Sequence, residues 1–270
     1  MTTITRAPGR TAAATAPPAS VRIMAALERY LTVYKRNWHG SIFSAFILPV
    51  LFMISIGIGV GGYIGTIDGW DYLSYIVPGV LASGAFQTAI GESTFPVMGD
   101  FKWTRGMHAM RATPLRIFDM IAGWQLYIQI RVFCGAVVFL IISALFGAIH
   151  SPWVVVTPLI CALLALSTAA PVSAFSAGLD NDSYFSLLFR FVVIPSTLFA
   201  GVFFPVSQLQ PFFRLLAYAS PLWHGVVLCR AAMLGGPTPW PIWIHVTYLV
   251  AFSALGLWWA DRAYSKRLKD

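Results

Sequence analysis

Six apolar runs, at residues 41–64, 72–97, 116–148, 153–178, 187–204 and 242–260, constrain this chain more than any other feature of it. Each has the ~17 residues or more that carry a helix across ~30 Å of hydrocarbon. No water is available there to satisfy backbone N–H and C=O groups, so each run must satisfy its own, as an α-helix does. The expected fold is all-α: a polytopic membrane protein with six transmembrane helices. Only 10% of the 270 residues are charged and 58% are hydrophobic, whereas soluble domains carry ~25% charge.

The cations between the runs set the orientation. Arg6, Arg10, Arg22, Arg29, Lys35 and Arg36 precede the first run. Lys102, Arg105, Arg111 and Arg116 form a basic island after the second, and Arg262, Lys266, Arg267 and Lys269 follow the last. Six crossings place these 14 of the 18 cations on one side, with Arg214 and Arg230 opposite and Arg131 and Arg190 within or beside spans. Lysine and arginine accumulate in cytoplasmic loops. The chain is therefore expected in the cell (inner or plasma) membrane, multi-pass, with both termini cytoplasmic. The net charge of +8 forms no stripe on a polar domain, which argues against a nucleic-acid partner.

Residues 1–20, rich in Thr, Ala and Pro, read as a disordered cytoplasmic tail. Over 21–39, Val21, Met24, Ala25, Leu27, Leu31 and Tyr34 recur at three- and four-residue steps, as in an amphipathic helix lying in the membrane interface. The first run ends in GIGVGGYIG, where Gly57, Gly59 and Gly62 match GxGxxG. No βαβ unit surrounds them, so a dinucleotide site is rejected; Gly57, Gly61 and Gly65 suit close helix approach or the end of the span instead. Asp68 and Asp71 fall in an outer loop. Residues 205–236 are apolar yet broken by Pro205, Pro211 and Pro221, which suits two short helices re-entering the outer leaflet. An inner tail is expected at 262–270. Cys134, Cys161 and Cys229 show no CxxC spacing and are expected to be free, buried thiols.

Two stretches carry a family resemblance. Ala112–Gly123, ATPLRIFDMIAG, preceded by a basic helix, resembles the cytoplasmic loop of the type-2 ATP-binding-cassette (ABC) export permeases. Gly201–Arg230, GVFFPVSQLQPFFRLLAYASPLWHGVVLCR, is similar to the segment before the last span of the same family. The likeness covers almost the whole chain after residue 21 and is closest in flavour to permeases of nodulation-type lipooligosaccharide exporters and daunorubicin-type drug exporters.

The resemblance implies a permease subunit that moves an amphipathic substrate outward: a lipid, a glycolipid or oligosaccharide, or a hydrophobic drug. It implies pairing with a second permease copy or a paralogue, within membrane lipid, and with two ABC ATPase subunits that hold ATP and Mg. Independently, the sequence has no GxxxxGKS or GxxxxGKT loop, so this chain is expected to be no enzyme and to hold no cofactor of its own.

By the same resemblance, residues 99–115 form the coupling loop, whose helix within Gly99–Met110 would seat in an ATPase cleft. Lys102, Trp103, Arg105, His108 and Arg111 would be its contacts. Thr113 or Asp119 would cap a helix starting near Pro114, a residue suited to the first turn. Arg22, Arg29, Lys35 and Arg36 belong to the interface helix beside it. The competing reading is that the island's cations only anchor topology on lipid phosphates.

Glu92 sits at the inner end of its span, and Arg131 lies about 22 Å along its helix from Arg116 at 1.5 Å per residue. Such charges are costly unless paired or wetted. Glu92 has Arg131, Arg116 or the interface helix as possible partners, and Arg131 has a carboxylate or a substrate headgroup. Phe203, Phe204, Pro205, Pro221, Trp223 and His224 are the candidate outer gate.

His150, His224 and His245 lie near the outside without an HExxH motif, paired carboxylates or a Ser/His/Asp set. That speaks against a metal site and against a membrane-embedded enzyme. Trp153, Trp223, Trp240, Trp243, Trp258 and Trp259 are expected interface anchors. An ion-coupled carrier or channel without an ATPase partner is the alternative class; it calls for paired intramembrane carboxylates or inverted repeats, and neither is visible.

Overall fold

A computed structural model describes residues 17–36, 47, 50–60, 63 and 65–269. Most of the expected tail at 1–20 and much of the expected first span at 41–64, including Gly61 and Gly62, lie outside the described residues. Within that span, residues 50–54 are helical and Ser55–Val60 forms a wider π turn.

Helix α1 (Ala19–Arg36) opens the described chain. A two-stranded antiparallel ribbon, β1 (Thr66–Ile67) and β2 (Trp70–Asp71), turns at Asp68 and Gly69 with φ of 52° and 83°. An Asp-Gly pair suits such a turn, because both positions need positive φ. Asp71 then caps α2 (Tyr72–Ser93) by accepting the Ser74 N–H at 3.2 Å. The remaining helices are α3 (Phe95–Lys102), α4 (Gly106–Arg111), α5 (Ile117–Leu145), α6 (Thr157–Ala177), α7 (Ser183–Phe199), α8 (Pro211–Ala219), α9 (Pro221–Leu234) and α10 (Ile242–Arg267).

Four segments among the described residues are long and apolar enough to cross a membrane: Tyr72–Lys102, Ile117–Leu145, Pro152–Ala177 and Ile242–Arg267. Helices α8 and α9, bent by 82° at their joint, make a fifth if the pair is one broken span. Where a span over 187–204 is expected, the shorter α7 stands.

Helix α6 is the centre of the bundle and packs against α2, α5, α9 and α10. Its Ala165, Ala169, Ala170, Ala174 and Ala177 are buried together with Ser167, Ser173 and Ser176. Small residues let backbones approach closely where lipid removes the hydrophobic drive for helix association. The partners reciprocate with glycine. A Cβ on Gly256 of α10 would stand 2.5 Å from Pro171 Cδ, and one on Gly225 of α9 would stand 2.5 Å from Leu164 Cδ2.

Several boundaries differ from expectation, each for a local reason. Helix α5 begins at Ile117 and not near Pro114, because the Asp119 carboxylate accepts the Arg116 N–H at 2.9 Å. Thr113 caps nothing there; its hydroxyl donates to the Met110 carbonyl at 2.6 Å. The helix expected within 99–110 is two pieces, α3 and α4, separated at Arg105, whose φ is 50°.

Helix α10 runs on through the expected tail to Arg267. Tyr264 is fully buried there, with its ring 4.9 Å from that of Phe101. Cys134 is exposed on α5, while Cys161 and Cys229 are buried with their sulfurs 3.9 Å apart. Trp223 is buried within an aromatic cluster and is no interface anchor; Trp153, Trp243, Trp258 and Trp259 are exposed.

Candidate functional site

One end of the bundle gathers α1, the basic island, the loop after α6 and the end of α10. Helix α1 runs alongside the first turns of α5 in a matched four-residue register. Arg22 meets Asp119, with Nε 2.5 Å from Oδ2. Ala26 meets Gly123, where a Cβ would come within 2.6 Å of the Ala26 Cβ. Tyr30 stands edge-on to Trp124 at 4.6 Å, and Tyr34 is 6.0 Å from Tyr127, with the Arg131 guanidinium 5.0 Å from the Tyr34 ring. The twelve residue-to-residue steps from Asp119 to Arg131 span about 18 Å of helix, so α1 climbs along α5 for roughly that distance.

The island is pinned beneath and open above. Arg29 makes a two-pronged pair with Asp100, Nη1–Oδ2 at 2.9 Å and Nη2–Oδ1 at 2.8 Å. These hydrogen bonds hold the Arg29 guanidinium above its usual range, and burial pushes the neighbouring Tyr30 hydroxyl up. Asp100 also accepts the Thr104 hydroxyl at 2.8 Å. Gly106 makes room for this cluster, because a Cβ there would lie 1.9 Å from Arg29 Nη2. Lys102 Nζ donates to the Asp180 carbonyl at 2.8 Å, and Asp180 pairs with Arg267 at 2.6 Å.

The predicted contacts therefore divide. Trp103, Arg105, His108, Arg111, Thr113 and Pro114 are exposed, although Trp103 folds back against Gly99. Lys102 is exposed but already bonded. Of the interface-helix cations, Arg22 and Arg29 turn inward and Lys35 is exposed; the Arg36 side chain lies outside the described residues. Sequence reading missed Asp100 as the partner of Arg29, and the available signal was an acid standing inside a basic island.

Glu92 pairs with Arg131, which also donates to the Tyr127 hydroxyl at 3.4 Å. Of the possible partners for Glu92, the structure selects Arg131, and with Tyr34 the pair ties α1, α2 and α5 together.

At the opposite end, Ser74 Oγ lies 2.8 Å from His150 Nε2, and the His150 N–H donates to the Met233 carbonyl at 3.0 Å. His224 and His245 meet through their Nδ1 atoms at 2.9 Å. His224 Nε2 lies 3.1 Å from the Tyr218 carbonyl, which only accepts, so that nitrogen carries the proton. In neutral rings, His245 Nδ1–H then donates to His224 Nδ1, which joins α9 to α10. Among the described residues no metal-holding cluster exists. Of the gate candidates, Phe203, Phe204, Pro205 and Pro221 are half-buried, and Trp223 and His224 are buried. Pro221 stands at the sharp α8–α9 joint, where the Ser220 hydroxyl accepts the Leu222 N–H at 3.3 Å.

A family model described as ABC-2 type transporter matches residues 21–234. Nodulation protein J of Rhizobium leguminosarum bv. viciae is 26% identical over 83% of this chain and 86% of its own length. Nodulation protein J of Sinorhizobium fredii is 25% identical over 88% of this chain and 94% of its own. The inner membrane transport permease YadH of Escherichia coli K12 is 27% identical over 81% and 86%.

Proposed function

This chain belongs to the ABC-2 type transporter family, and on that footing we propose that it is the permease subunit of an exporter driven by ATP hydrolysis on a separate ATPase. The substrate is amphipathic: a lipid, a glycolipid or oligosaccharide, or a hydrophobic drug. ATP and Mg sit on the ATPase subunits, two per complex, and a second permease copy or a paralogue completes the path. In this reading residues 41–64 form the first of six spans and α7 the fifth, with both termini in the cytoplasm of a cell-membrane protein.

The observation that carries the proposal is the α3–α4 elbow, exposed above and held below. Trp103, Arg105, His108 and Arg111 face outward from it. Arg29–Asp100 connects it to α1, and Phe101–Tyr264 connects it to α10. When ATP draws the ATPase subunits together, displacement of the elbow passes through these contacts into the spans and changes the accessibility of the permease path. Glu92–Arg131 acts as a brace between moving helices, and the α8–α9 joint acts as the outer gate.

The test is affinity purification of the tagged chain from its native host in mild detergent. An ABC ATPase is expected to co-elute. Paired Arg105→Glu and Arg111→Glu changes should leave insertion intact while cutting ATPase recovery several-fold. Transport by the chain alone in vesicles, without any ATPase, overturns the proposal in favour of an ion-coupled carrier.

A further inference from the structure

A cavity of about 350 Å³ opens at the outer end of the molecule, between the β1–β2 ribbon, the start of α2, the segment after α7, and α9. Asp68, Trp70, Tyr75, Gly201, Tyr218 and Arg230 are among its walls. Arg230 is held there in an unusual way. Its Nη2 donates to the Gly201 carbonyl at 2.9 Å, its Nε donates to the Tyr75 carbonyl at 3.4 Å, and its guanidinium carbon lies 4.0 Å from the Tyr75 ring centroid.

Every one of these partners is neutral. Among the described residues no carboxylate forms an ion pair with Arg230, and Asp68, on the same cavity, stands beyond ion-pair distance. A guanidinium taken partly out of water with no carboxylate in contact, Asp68 acting on it only from a distance, is costly, and a phosphate or carboxylate is the group that its remaining N–H donors match. The two carbonyls and the ring also fix its orientation in advance, so little side-chain entropy is lost when an anion arrives.

The geometry points to an anion-binding site in this outer cavity, in which Arg230 receives the phosphate or carboxylate headgroup of an amphipathic molecule. Trp70 and Tyr218 supply ring surface for the part of the molecule next to the headgroup. The site deepens the permease reading by giving the headgroup a charge. Its binding is measured without the ATPase, so it can fail while ATPase co-purification succeeds.

The experiment titrates the full-length chain in dodecyl maltoside with dihexanoyl phosphatidic acid, neutral dihexanoylglycerol and inorganic phosphate, followed by calorimetry. Dihexanoyl phosphatidic acid should bind at least tenfold more weakly to Arg230→Gln than to the unaltered chain. Arg214→Gln, which removes the other outer cation, should change Kd less than threefold. Thr238→Trp fills the cavity without removing charge and should weaken binding by a similar factor, which keeps the test open if Arg230→Gln does not fold.

Inorganic phosphate binding as tightly as the lipid would support the site with a free anion as its ligand; phosphate binding far more weakly would support it with a headgroup as the ligand. Binding within threefold of the unaltered chain in Arg230→Gln or in Thr238→Trp, or neutral dihexanoylglycerol binding as well as the acid, overturns the site.

Discussion

Arg22 and Asp119, 97 residues apart, form the most buried ion pair among the described residues. Removing one member of such a pair strands the other charge. Arg22→Met is therefore expected to cost about 3 kcal/mol, read by unfolding in mixed micelles. Adding Asp119→Leu should recover most of that, short of about 1 kcal/mol for the lost cap on α5; strictly additive losses would show that the two side chains act separately. Little of this was legible in the sequence. Arg22 reads there as one cation of an interface helix and Asp119 as a candidate cap, and only the cap is local information. His224 and His245 are similar: each is a lone histidine in an apolar stretch until α9 and α10 are packed together.

At the scale of elements, α1 and α5 approach most closely where Gly123 leaves room for Ala26. Gly123→Ala places a Cβ 2.6 Å from that of Ala26 and should cost about 1–3 kcal/mol from overpacking, partly offset by ~1 kcal/mol of helix propensity. Ala26→Gly in the same chain should relieve the clash, and a melting temperature that fails to recover counts against the contact.

The elbow separates backbone from charge. Arg105 is left-handed at φ 50°, so Arg105→Gly should leave stability within about 1 kcal/mol while, on the proposed permease reading, lowering stimulation of the partner ATPase; unchanged stimulation would remove Arg105 from the proposed docking surface. Apolar run length made α5 and α6 readable to within a few residues. It failed at α10, where Asp261, Arg262, Lys266 and Arg267 look like a tail although Tyr264 between them is buried. It failed again inside the island, because hydropathy does not report a single left-handed residue.

For the whole molecule, the bundle sorts its charges by end. Arg22, Arg29, Lys102 and Arg267 are bonded at one end, and Arg230 is held at the other with His150 and the β1–β2 ribbon nearby. In a chain whose cysteines are replaced by serine, Arg105→Cys and Lys266→Cys should resist a membrane-impermeant maleimide added outside intact cells, and Thr238→Cys should react; the reverse pattern inverts the topology. The segregation of cations was legible as composition, whereas the cavity beside Arg230 was not, since its walls come from three separated segments, 68–75, 201–207 and 218–239.

The pairing of α1 with residues far downstream also orders events during synthesis. Asp100 follows Arg29 by 71 residues and Asp119 follows Arg22 by 97. At ~5–20 residues per second, the first helix waits about 4 to 20 s before its acids leave the ribosome. Until then Arg22 and Arg29 have neither acid to hold, so α1 is made well before the residues it docks against, yet it can be docked before α6 to α10 have been made.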